Sequence, residues 1–161
     1  MQPFLLQADK LGIKLEIVKG MPIWEAQPIY RHQAAVDRIR SSIKKTKSKK
    51  NICQCVHIPD VYINFPDGSL KRPDISIFCR EPEELDEAIK AVPDAVIEVI
   101  SKGYEKKDTE TGMDFYIEQG VKDVVIFDPY TLSVIHSSKN NREQHLSPVK
   151  LTFDCGCMCI V

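Results

Sequence analysis

Apolar residues alternate with polar ones at Leu11, Ile13, Leu15 and Ile17, and a second short run follows Lys19-Gly20. A two-residue period with a tight Lys-Gly turn predicts a β-hairpin over residues 11–26. The period changes after Tyr30. Ala35, Ile39 and Ile43 recur every four residues, with Val36 and basic residues around them, which predicts an amphipathic helix over residues 30–47 ending in the basic loop "KKTKSKKN". "ICQCVHIPDVYINF" reads as extended, bent at Pro59. "PDGS" then turns a hairpin that leads into a strand at Ile75. "EPEELDEAIK" opens with Pro82 and acids, the chemistry of a helix start, and stops before Pro93. "DAVIEVI" is the most apolar strand. "EKKDTETGMDFYIEQG" predicts a helix closed by Gly120. "VKDVVIFDP" and "TLSVIHSS" predict two strands joined at "DPYT", and the tail from Leu146 to Val161 reads as extended. This order predicts one α/β domain over residues 1–161, a mixed β-sheet flanked by helices with the hairpin at its N-terminal side.

Composition narrows the picture only a little. The 161 residues, 43% hydrophobic and 28% charged, suit one globular core. With a formal net charge of −1, no global field draws the chain to nucleic acid, so such binding needs a local basic patch. No apolar run reaches membrane-spanning length and the N-terminus lacks an export-signal pattern, so a cytoplasmic protein is expected, neither transmembrane nor secreted. Six cysteines stand at 53, 55, 79, 155, 157 and 159. In a cytoplasm they are expected as reduced thiols and small buried hydrophobes. The single-residue gaps of "CQC" and "CGCMC" differ from the usual two-to-four-residue spacing of zinc ligands. A thiol or zinc function would require the C-terminal cysteines to converge on Cys53 and Cys55.

Candidate chemistry comes from Glu98, a carboxylate in a strand that should be buried, which is costly without a cationic partner. Of the four Pro-Asp pairs, most are turn chemistry. Asp74 instead opens the strand "DISIF", so pairing with the "DAVIEVI" strand would set it beside Glu98. Asp94 lies on the same strand as Glu98, about 13 Å away at ~3.3 Å per residue, and cannot share a ligand with it. An aspartate and a glutamate converging from neighbouring strands offer hard oxygen donors to a cation such as Mg2+. A lysine beside them would stabilise charge on a phosphate or lower the pKa of an attacking water.

"KRPDISIF", "PDAVIEVIS" and "DFYIEQGVKDVVIFDP", in that order, resemble the PD-(D/E)XK nuclease superfamily. More narrowly they resemble a widespread family of small endonucleases, whose "YELIDG"-like hairpin is matched by "LEIVKG" at residues 15–20. The resemblance spans residues 11–136, with a catalytic core over 60–136, and implies a restriction-endonuclease-like fold. It implies a Mg2+-dependent endonuclease, with Mn2+ as an alternative ion, hydrolysing DNA phosphodiesters with a metal-activated water. RNA is not excluded as substrate, and a homodimer is expected by analogy. Asp74 and Glu98 would be the metal-binding acids, and Glu16 an accessory acid or simply the polar face of its strand.

The lysine departs from the pattern. Ile100 stands two residues after the second acid, and Gly112 stands where the narrower family places a helical lysine. Lys102, on the same strand face as Glu98, is the first substitute and Lys106 the second. For nucleic-acid contact the candidates are Lys44, Lys45 and Lys47 in the only dense basic region, with Arg72 beside the Pro73-Asp74 pair. His32, near the start of the helix, could face the site but is read as a surface or capping residue, and Trp24 and Tyr30, which could stack on bases, are read as packing residues. The alternative function is a nucleic-acid-binding or interaction module that keeps the fold without the chemistry.

Overall fold

The computed structural model describes residues 3–24, 27–47, 52–103 and 112–161. Helix α1 (Pro3–Lys10) precedes β1 (Leu15–Val18) and β2 (Met21–Trp24). These strands pair antiparallel about Lys19 (φ 50°) and Gly20 (φ 81°). Two left-handed residues make the turn whose twist matches the strands, and glycine takes the second position without steric cost.

Helix α2 (Tyr30–Ser42) is shorter than its apolar period suggested. Ile43 is already extended, and β3 (Lys44–Lys45) follows. The Ser42 hydroxyl donates to the Ile39 carbonyl and accepts from the Ile160 amide, and the backbone groups of β3 pair with a C-terminal strand instead of continuing the helix. The next elements are β4 (Val56–Pro59), β5 (Ile63–Asn64), β6 (Leu70–Lys71), β7 (Ile75–Phe78) and β8 (Ala95–Val99). The expected helix at "EPEELDEAIK" does not form: Ile89 bridges Ile63 and the rest is irregular. Leu85 is 81% exposed, so the segment lacks the continuous apolar stripe that stabilises a short helix in water. Of the helix expected over 105–120, α3 (Met113–Glu118) is described, and residues 104–111 lie outside the described residues. The chain closes with β9 (Asp123–Phe127), β10 (Ser133–Ser138), β11 (Asn141–Leu146), β12 (Lys150–Thr152) and β13 (Cys157–Ile160).

The main sheet runs β11-β10-β9-β8-β7-β4, with β8 and β9 parallel and every other pair antiparallel. A parallel neighbour needs a crossover, which α3 supplies. One face packs on α2 and the C-terminal strands: Ala35, Val36, Ile39, Ile75, Ile97, Val99, Leu151 and Cys157 share a cluster. The other packs on α3, through Phe78, Val96, Ile100, Phe115, Tyr116 and Ile126. Each fully buried Val, Leu, Ile or Phe among them contributes roughly 1.5–3 kcal/mol. A second sheet, β2-β1-β6-β5, is backed by Leu5 and Ala8 of α1, and a third runs β12-β13-β3. No helix among the described residues is long and apolar enough to cross a membrane.

The cysteines differ from their expectation. Cys53 is bonded to Cys79 and Cys55 to Cys157, whereas Cys155 and Cys159 are free thiols. Strands remote in sequence meet there and bring the sulfurs into bonding range.

Candidate active site

The antiparallel register of β7 and β8 sets Ile75 opposite Ile97, so the next pair outward is Asp74 and Glu98. Directly opposed residues carry Cβ atoms about 4.5–5.5 Å apart. The backbone closes on both carboxylates: the Asp74 amide donates to Glu98 Oε2 at 3.1 Å, and the Val99 amide donates to Asp74 Oδ2 at 2.8 Å. The two acids are thus fixed by each other's strand.

A helix from each side holds one member of the pair. His32, near the start of α2, sets Nε2 3.1 Å from Asp74 Oδ2. Burial disfavours a charged His32, but the hydrogen bond and charge of Asp74 outweigh it and raise the imidazole pKa above the ordinary value. The expectation of a surface or capping histidine is therefore corrected, since His32 is buried against the acid. From α3, the Tyr116 hydroxyl donates to Glu98 Oε1. Burial first, then the charges of Glu98 and Glu16, push its pKa well above 10, so it remains a phenol and a donor.

Asp74 and Glu98 line one cleft together with Glu16, Lys14, Lys71, Arg72 and His32. Glu16, on β1, is 2% exposed. Its Oε1 accepts from the Arg72 amide at 2.7 Å and its Oε2 lies 3.4 Å from Lys71 Nζ. Glu16 therefore fixes the link between β6 and β7 that delivers Asp74, besides contributing charge. Lys71 Nζ also sits 4.7 Å from the Tyr116 ring centroid, where the ring face attracts a cation. Lys14 Nζ lies 2.9 Å from Asp60 Oδ1. Burial pulls its pKa down, but the carboxylates of Asp74, Asp60 and Glu98 more than offset that, and the group stays an ammonium.

The other residues singled out in the sequence fall in different places. Ile100 is buried in the α3-side core, and Lys102 is exposed in the turn after β8, outside the residues lining the cleft. Lys106 lies outside the described residues. Arg72 lines the cleft and pairs with Asp60 at 3.0 Å and Asp9 at 3.4 Å. Lys44, Lys45 and Lys47 are exposed just beyond the far end of α2. About ten residues of helix separate that end from His32, a span of ~15 Å at ~1.5 Å per residue. Asp94 serves elsewhere, accepting from the Cys79 amide at 2.8 Å. Sequence reasoning missed Lys14, Lys71 and Tyr116. Lys14 carried one legible signal: it stands two residues before Glu16, so on a strand the two share a face.

Residues 1–153 match the Uma2 family, whose description is "Putative restriction endonuclease". The chain belongs to the Uma2 family. The fold is similar to the crystal structure of a "putative nuclease belonging to DUF820" from Anabaena variabilis ATCC 29413. That likeness has a TM-score of 0.64 at 21% sequence identity and covers 85% of this chain and 79% of that one. No curated protein matches. The family likeness and restriction-endonuclease-like fold expected from "RPD", "EV.S" and "GV…DP" are those found.

Proposed function

We propose that this Uma2 protein is a Mg2+-dependent endonuclease that hydrolyses DNA phosphodiesters. The reading rests on one observation, the Asp74–Glu98 cross-strand pair in a cleft that also holds Lys14 and the buried Lys71. The donor set fits a hard cation: it is all carboxylate oxygen, and both hydrogen bonds to Asp74 fall on Oδ2. Asp74 and Glu98 would hold the ion, which when bound supplies Lewis-acid activation of a water and neutralises charge on the phosphate.

The remaining residues act around that pair. His32 and the Val99 amide orient Asp74, and Tyr116 orients Glu98. Lys14 takes the role of the motif lysine in place of Lys102 or Lys106, because its ammonium feels both acids and borders the cleft. There it stabilises the developing charge of a pentavalent phosphorane and keeps an incoming phosphate bound. Arg72 contacts the same phosphate or its neighbour. Lys44, Lys45 and Lys47 add sequence-independent affinity further along the nucleic acid, and that affinity weakens as salt rises.

The buried Ile100 favours the second reading, a binding module without chemistry. Cleavage of supercoiled plasmid and labelled oligonucleotides in Mg2+, Mn2+ or a chelator separates the two. The nuclease reading expects cutting by the wild type that the chelator stops and that Asp74→Ala and Glu98→Ala each abolish. Binding of DNA without metal-dependent cutting, or cutting unchanged in both variants, overturns it.

A further inference from the structure

The cysteines pack in the core cluster on the α2 side of the main sheet, and none of them lines the cleft of Asp74 and Glu98. Cys53 and Cys55 precede β4, Cys79 follows β7 and Cys157 opens β13. The Cys53 sulfur lies 3.5 Å from that of Cys157 and 4.0 Å from that of Cys55. Cys53, Cys55 and Cys157 have their sulfurs mutually within 4.8 Å, and so do Cys53, Cys79 and Cys155. We propose that the reduced protein holds one zinc ion through the gathered sulfurs of Cys53, Cys55 and Cys157, with Cys79, released from Cys53 by reduction, turning in as the fourth ligand.

Three observations point to a single soft cation. A tetrahedron with ~2.3 Å zinc–sulfur bonds has sulfur–sulfur edges of about 3.8 Å, and the two separations from the Cys53 sulfur to those of Cys157 and Cys55, 3.5 and 4.0 Å, bracket that value. Next, Cys53 and Cys55 are two residues apart, which in a plain strand would set their Cα atoms about 6.6 Å apart with parallel side chains. Cys55 instead has φ 53°, a left-handed backbone that a residue with a side chain rarely adopts, and this bend gathers the two sulfurs. It makes the Cys-X-Cys spacing, unusual for zinc, compatible with one ion. Lastly, Cys53, Cys55 and Cys157 are buried, so their thiolates would be stable only beside a cation, and an all-sulfur donor set selects a thiophilic one.

The chemistry balances simply. An external dithiol gives two electrons and two protons to each sulfur–sulfur bond and becomes a disulfide, leaving four thiols. Zinc binding then releases the four thiol protons. The bound ion would tie β13 to the strands flanking β4 and β7 whatever the carboxylate cleft does, so this inference is independent of the nuclease reading.

The test uses the full chain, reduced with excess dithiothreitol, desalted without oxygen, and titrated with Zn2+ and, separately, with Co2+. We expect one zinc per chain and the intense visible bands of tetrahedral cobalt thiolate. Cys53→Ser and Cys157→Ser should each lower the affinity at least tenfold. Cys159→Ser, at a buried thiol outside the group whose pKa is pushed to about 12, should leave it unchanged, and so should Asp74→Ala. Circular dichroism checks that each variant is folded, and the wild-type cobalt spectrum decides the matter if a variant is not. A folded wild type with six titratable thiols that keeps less than a tenth of an equivalent of zinc overturns the proposal. So does a cobalt spectrum without thiolate bands, or a protein whose disulfides resist the dithiol.

Discussion

Asp74 and Glu98 hold each other through the backbone as well as facing each other: the Asp74 amide donates to the Glu98 carboxylate, and the amide of Val99, one residue past Glu98, donates to the Asp74 carboxylate. Removing the Asp74 side chain therefore leaves a buried amide without an acceptor, at a cost of about 1–3 kcal/mol. Asp74→Ala should lower the metal-free unfolding free energy by about that amount in a urea titration, and Asp74→Asn, which keeps an acceptor oxygen, by clearly less. Equal losses would mean the backbone bond is not made.

Lys14 and Lys102 offer the sharpest contrast among the lysines. Lys14→Ala should slow cleavage by ~10²-fold, the scale of losing one group that stabilises developing charge. Lys102→Ala, at an exposed turn, should change it little. Single-turnover rates on an oligonucleotide substrate read both. Loss in Lys102→Ala with Lys14→Ala unaffected would return the role to the end of β8.

Tyr116 acts on the acid rather than on substrate. Tyr116→Phe removes the donor to Glu98 Oε1 while keeping the ring against Phe65 and Phe115. We expect a stability loss of about 0.5–1.5 kcal/mol, and a Mg2+ requirement shifted to higher concentration with the rate at saturating Mg2+ largely kept. A fall in the saturated rate without a shift in Mg2+ requirement would instead place the hydroxyl in the chemical step.

His57, on β4, has its pKa lowered by burial and then by the charge of Arg40. The folded state thus binds this proton less readily than the unfolded chain, so stability falls as pH drops below about 6.5 toward the folded value. His57→Gln should flatten the decline of melting temperature between pH 7 and pH 5, followed by differential scanning fluorimetry. An unchanged slope would remove His57 as its source.

Much of this was legible in the chain because it depends on neighbours in sequence. The Lys19-Gly20 turn fixes the hairpin register, and the acids were picked out by the motifs that carry the family resemblance, whereas the antiparallel pairing of their strands that sets them face to face is seen only in the fold. The supporting residues were hidden for the converse reason. His32 and Lys14 arrive on α2 and just before β1, and only tertiary packing decides which acid they meet. The segment at 81–90 carries good helix-start residues, yet Leu85 finds nothing to pack against, so local propensity was overruled. The cysteines show the same limit: alternation put each cluster on one face, but the convergence of residue 157 on 53 and 55 is a property of the fold.

The central claim is that Asp74 and Glu98 together hold one hard divalent ion. A Mn2+ titration followed by electron paramagnetic resonance tests it directly, because Mn2+ prefers carboxylate oxygen and avoids the thiol group. The account predicts one bound Mn2+ per wild-type chain, displaced by excess Mg2+, and none in Asp74→Ala or Glu98→Ala at the same concentrations. Undiminished Mn2+ binding in both variants, or none in the folded wild type, would contradict it.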